Sequence, residues 1–238
     1  MSQKPPSTNS LSTRQLDERW LRWLGTSRPD PAVARSLITK NPDWVDPAGC
    51  GPLVWVLRNH RAKPSAARLT RMLVEMGLDP NEPAGRISPL FEAVYQGDAR
   101  SVRYLLSQDL NLNDKSRVSA LSEACGTLKK RDLVLLLLKV GHPIGSIRGS
   151  RGLVGDMAAG LGSDSRQAWR PNKFWNEVAG ALLSSPARWD EFKGQLREWA
   201  QNEEVSIGPI EGWLCAHEAA LLSVHCAPIP PRARSVRL

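Results

Sequence analysis

The sequence predicts an all-α solenoid of stacked helical hairpins, and three observations carry that prediction. The stretch "SPLFEAVYQGDARSVRYLLSQDLNLN" (88–113) holds a proline-started apolar helix pattern, a Gly-Asp break, a second apolar helix pattern and an Asn-rich turn. A hairpin of that size cannot bury its apolar face alone, so it needs a similar unit on each side. Its closing turn, "LLSQDLNLN" (105–113), aligns with "LVEMGLDPN" (73–81) and "LLKVGHPIG" (137–145), which spaces Gly77, Asp109 and Gly141 32 residues apart each time. Upstream of each turn stands a matching first helix: "GPLVWVL" (51–57), "SPLFEAV" (88–94) and "SALSEAC" (119–125).

Taken in chain order, residues 1–13 ("MSQKPPSTNSLST") lack the apolar stretch of a secretory signal and read as a disordered polar leader. Residues 14–50 form an N-terminal capping repeat, with a first helix at "LDERWLRWL" (16–24) and a turn at "LITKNPDWV" (37–45), where Asn41 is expected to serve as a left-handed helix cap. Residues 51–145 hold three clear repeats; the first carries an insertion around "RNHRAKPSAAR" (58–68) and the third an added residue near "TLKKRD" (127–132). In the central unit Ser88 caps the helix, Pro89 takes a first-turn position that needs no donor, and Ala93 lets helices approach closely. Leu90, Val102, Leu105 and Leu106 supply its buried stripe. Residues 146–186 form a degenerate repeat, with "LVGDMAAGLG" (153–162) as first helix and a second expected over 174–190. Residues 187–227 read as a C-terminal helical cap that covers the exposed face of the last repeat. Residues 228–238 ("IPPRARSVRL" and the Pro before them) form a basic flexible tail.

This turn-started short helix, break and second helix ending in LLxxG, at a period near ~33 residues, resembles the ankyrin-repeat family. The central unit is similar to that family's TPLHxAxxxG followed by VxxLLxxGADVN, although none of the three clear units has the His. The resemblance implies binding through a concave face built from the tips between repeats and the exposed ends of the first helices. Mapped by register, the tips present Arg86, then Lys115 and Arg117, then Arg148 and Arg151. The first-helix ends present Arg58 and Asn59, then Tyr95 and Gln96, then Thr127.

Composition sharpens that expectation. The chain has 238 residues, 41% hydrophobic and 24% charged, which allows a substantial core. The longest apolar run, Leu133 to Leu138, is far short of the ~18 to 20 residues of a membrane span and is flanked by Lys130, Arg131 and Lys139. Four scattered cysteines (50, 125, 215, 226) make no disulfide framework and suggest reduced packing thiols in a cytoplasmic setting. The formal charge of +8 favours an acidic partner. Forked guanidinium groups with a tyrosine among them suit an acidic protein or peptide, with nucleic acid as the weaker alternative. No RRM, KH, zinc-finger or helix-turn-helix signature accompanies the charge.

Few residues stand in a pattern that chemistry would need. The glycines at 145–162 match neither GxxxxGKS nor GxGxxG. "CAH" (215–217) and "HC" (225–226) invite a zinc site, but on one helix Cys215 and Cys226 stand about 16 Å apart along the axis, too far for one metal. His60 and His142 have no readable nucleophile or carboxylate partner. The nine tryptophans, with Trp20, Trp23, Trp189, Trp199 and Trp213 near the ends, read as core and cap filling. The expectation is therefore a monomeric, non-enzymatic interaction module without cofactor or metal: an adaptor, inhibitor or immunity-type protein, or alternatively a translocated bacterial effector or a polyanion binder.

Overall fold

Proline opens five of the helices, at Pro31, Pro52, Pro64, Pro89 and Pro186, where its fixed φ suits the first turn and its missing N–H is not needed. Short polar side chains cap helix starts, in the Pro89 helix together with the proline. Ser12 and Gln15 form a reciprocal capping box, Ser88 Oγ accepts from Phe91 N (3.2 Å), and Asp98 accepts from Arg100 N and Ser101 N.

The computed structural model describes residues 12–26, 29–61, 63–81, 87–112, 119–125, 131–145, 152–161 and 173–225. Among them lie twelve helices and no strand. They are α1 (Thr13–Leu24), α2 (Pro31–Lys40), α3 (Pro52–His60), α4 (Pro64–Glu75), α5 (Pro89–Tyr95) and α6 (Ala99–Leu106). There follow α7 (Ala120–Cys125), α8 (Arg131–Lys139), α9 (Gly152–Leu161), α10 (Lys173–Leu182), α11 (Pro186–Asn202) and α12 (Ile207–His225). Residues 1–11 of the expected leader and the basic tail lie outside the described residues, whereas Ser12 and Thr13, read as the end of that leader, cap and open α1 because the Ser12 side chain and Gln15 satisfy its first free N–H groups.

The odd-numbered helices stack in one row: α1 on α3, α3 on α5, α5 on α7, α7 on α9 and α9 on α11. In the second row α4 packs on α6 and α8 on α10, so each hairpin touches mainly its neighbours. The apolar interior forms two clusters. One joins Trp20, Trp23, Leu24, Leu37 and Trp44 of the first hairpin to Leu53, Leu69 and Leu73. The larger runs from Leu57 through Leu105, Leu137 and Phe174 to Phe192, Leu196 and Leu214. The terminal tryptophans fill these interiors: Trp20 is fully buried and stacks on Trp44, and Trp189 stacks on Phe192.

The turns separate positions that the sequence aligns. Gly77 (φ +101°) and Gly141 (φ +87°) take the left-handed conformation after α4 and α8. Asp109 does not, because α6 closes through Ser107 in a right-handed conformation. Asn41, expected to be left-handed, has φ −149° and ψ 72°; its N–H still bonds Leu37 O (2.9 Å), so an extended exit ends α2. The helix expected over 174–190 is two helices. Pro186 lacks the donor that would continue α10, so the chain turns at 183–185 and starts α11. That break frees α11 to join the first row against α9.

Candidate interaction surface

Four of the nine residues expected to bind a partner lie in the described structure, on α3 and at the end of α5: Arg58, Asn59, Tyr95 and Gln96. Arg86, Lys115, Arg117, Arg148 and Arg151, together with Thr127, lie outside the described residues.

The stacking of α3 on α5 gives the four described residues different surroundings. Arg58 is turned inward along the stack. Its Nη2 donates to Glu92 Oε2 (3.0 Å) and its Nη1 to Cys50 Sγ (2.8 Å). Glu92 is 2% exposed, and its other oxygen accepts from Gln96 Nε2 (2.8 Å). The carboxylate hydrogen bond holds the Arg58 guanidinium above its usual range, while burial pushes the Cys50 thiol up. Arg58 thus ties two hairpins together, and Gln96 shares the same carboxylate. Asn59 is exposed and donates to Trp55 O (2.9 Å). Tyr95 is the outward-facing member: it is 55% exposed, with its ring stacked on Phe91 one turn back (6.2 Å).

The histidines and the glycine-flanked segment have structural partners. His60 Nε2 donates to Leu24 O (2.9 Å) and its Nδ1 meets Ser65 Oγ (3.1 Å), joining the first two hairpins. His142 is 3% exposed, donates from Nδ1 to Pro143 O (3.0 Å), and is pushed to a low pKa by burial. From α11, Arg188 donates to Leu138 O (2.7 Å) and His142 O (2.8 Å), while Gln195 donates to Ile144 O (2.8 Å). These bonds clamp the turn between α8 and α9. A hollow of about 310 Å³ beside α9 is lined by Gly152, Gly155, Gln195, Glu198, Trp199 and Asn202. At the chain end, α12 runs unbroken through Cys215 and His217, and His217 packs on the Trp213 ring (4.5 Å).

The structure also assembles residues that the sequence reading passed over. Arg68 and Arg71 on α4 and Arg100 and Arg103 on α6 line one hollow of about 540 Å³ together with Tyr104 and Ser107. Arg71 lies over the Tyr104 ring, 5.1 Å from its centroid. A signal was present: Arg68 and Arg100, and Arg71 and Arg103, are 32 residues apart, the same spacing as the turns. It lies on second helices, away from the tips and the first helices.

No protein-family model matches the chain, and neither does any curated protein. Solved structures do match, among them the human ASB11 ankyrin repeat domain, with a TM-score of 0.51 and 19% identity over 73% of this chain and 72% of that one. That likeness, the two rows of paired helices and the recurring turn make this chain an ankyrin-repeat solenoid in fold.

Proposed function

We propose that this chain is a non-enzymatic protein-interaction module that holds an acidic partner protein along its row of first helices. The observation that carries the reading is Tyr95. A large aromatic left more than half exposed at the end of a central first helix, on a ring already fixed by Phe91, is the kind of rigid amphipathic anchor on which binding surfaces depend. Asn59, exposed near the end of the first helix in the neighbouring hairpin, adds an amide able to hydrogen-bond a peptide.

The acidic character of the partner follows from the charge. The chain carries +8, and the tips read from the sequence, Arg86, Lys115, Arg117, Arg148 and Arg151, are all basic. Arginine at such positions pairs bidentately with carboxylates and steers an oppositely charged surface toward the anchor. In this reading Arg58 and Gln96 support the surface by fixing α3 against α5, and the module works as a monomer in the cytoplasm.

The test is affinity capture from source lysate at about 150 mM salt after nuclease treatment, where surface charges are screened beyond ~8 Å. Wild type is compared with Tyr95→Ala and with the combined Arg86→Glu, Arg117→Glu, Arg148→Glu variant, each shown to be folded by circular dichroism. A protein retained by wild type and lost by both variants supports the reading and identifies the partner. Loss only of nuclease-sensitive material transfers the assignment to a polyanion. Unchanged capture rejects the first-helix surface.

A further inference from the structure

The arginine hollow between α4 and α6 belongs to the second row of helices and is independent of the Tyr95 surface. It is built by the repeat itself. Arg68 and Arg71 stand three residues apart on α4, hence on one face, and Arg100 and Arg103 repeat that spacing on α6. The packing of α4 on α6 then sets one pair beside the other around a common space of about 540 Å³. All four guanidinium-bearing side chains are exposed, and no carboxylate lines the space. Glu75, the carboxylate that acts on Tyr104, is not ion-paired with Arg71 among the described residues. Arg100 and Arg103 likewise have no ion pair among the described residues. Arg71, Arg100 and Arg103, like charges without an ion pair among the described residues, line one hollow and repel each other, so the arrangement gains from any compact anion that enters it.

We propose that this hollow receives a phosphoryl group carried on a peptide segment of a partner protein. A phosphorylated side chain concentrates about −1.5 to −2 charge and three acceptor oxygens in one place, whereas a carboxylate brings a single charge. The planar forks of Arg71 on α4 and of Arg100 and Arg103 on α6 can approach those oxygens from opposite walls. Two other anionic partners fit the same surface less well. Single-stranded nucleic acid uses open aromatic faces for base stacking, but Arg71 already lies over the Tyr104 ring. Binding in a lipid interface uses apolar side chains beside the basic ones. The large apolar residues that stand exposed among the described residues, Leu21, Val45, Tyr95, Val140 and Ile207, are all off α4 and α6.

The experiment uses the full chain and three synthetic peptide pools of identical degenerate flanks, with phosphoserine, serine or glutamate at the centre, read by fluorescence anisotropy. Vesicles of phosphatidylcholine with phosphatidylserine and a single-stranded RNA oligonucleotide are titrated in parallel. Three proteins are compared: wild type, Arg100→Gln with Arg103→Gln, and Arg100→Lys with Arg103→Lys. Gln and Lys match Arg closely in helix propensity, so α6 is retained, and thermal melts verify this. The expected result is that wild type binds the phosphoserine pool about tenfold or more tighter than the serine and glutamate pools. Binding then weakens by about 30- to 100-fold in the Gln variant and by less in the Lys variant, which keeps the charge without the fork. Equal binding of the glutamate and phosphoserine pools, no binding of any pool, or an unaltered Gln variant overturns the proposal. So does tighter binding of vesicles or RNA that the Gln variant loses, which would reassign the hollow to that polyanion.

Discussion

His142 takes the place in its turn that Leu78 and Leu110 hold in the two preceding turns, and it is buried there. Desolvation, aided by the nearby Arg188 charge, favours its neutral form, so its folded pKa lies below the usual value of 6.5. A depressed folded pKa means that the unfolded chain takes up the proton first on acidification. The stabilisation is therefore complete above about pH 6.5 and is lost as pH falls through the folded value. Melting curves between about pH 7.5 and about pH 5 should show a falling midpoint in wild type and a flatter profile in His142→Leu, which also matches the preceding turns. Arg58 makes a second prediction. Removing it leaves Glu92 buried with only Gln96 as a side-chain partner, and Arg58→Ala should cost about 2 kcal/mol by denaturant titration, below the range for fully buried pairs because Arg58 is partly solvated. Substitution of Arg58 would thus perturb the scaffold and any binding at once, whereas Tyr95→Ala touches mainly the surface.

Helix ends carry carbonyls that need partners, and after α8 the turn's own bond from Gly141 N to Leu138 O (3.1 Å) is reinforced by a side chain from α11. The Arg188 guanidinium bonds the carbonyls of Leu138 and His142, so its removal leaves both without these charged donors. Arg188→Ala should lower stability by about 2 to 4 kcal/mol, and Arg188→Lys should recover only part of this because one ammonium cannot reproduce the fork. Gln195 makes the parallel link to Ile144. The helices themselves were legible from local signals: Pro at the first turn, Ser88 as a cap, and the apolar spacing of Leu90, Val102 and Leu105 all act within a few residues. Where the reading erred, the cause was also local. An apolar pattern that continues through 174–190 hides the break at Pro186, and Asn41 ends its helix without entering the left-handed region.

In the whole molecule, stability is shared between neighbours, and the two apolar clusters do not share it equally. The first hairpin touches the array on one side only, and α1 meets α3 less extensively than the later first helices meet one another. The central helices are covered on both sides within the larger cluster. Native-state hydrogen exchange should therefore show α1 and α2 opening before α7 to α11, with the slowest amides around Leu105, Leu137 and Val178. Uniform exchange along the array would contradict that gradient.

By itself the sequence determined the repeat, because a hairpin's helices, caps and turns are set by residues within about one period of each other and the same signals recur at Gly77, Asp109 and Gly141. It also marked Tyr95 and Asn59, since register alone puts them at the ends of first helices. Only the tertiary structure decided which charges are spent inside the array and which face solvent. Arg58 finds Glu92 34 residues away and Arg188 finds Leu138 50 residues away, while the Arg68–Arg71 and Arg100–Arg103 pairs meet across two helices. Such partnerships depend on how one hairpin is set against the next, and no local pattern encodes that distance or angle.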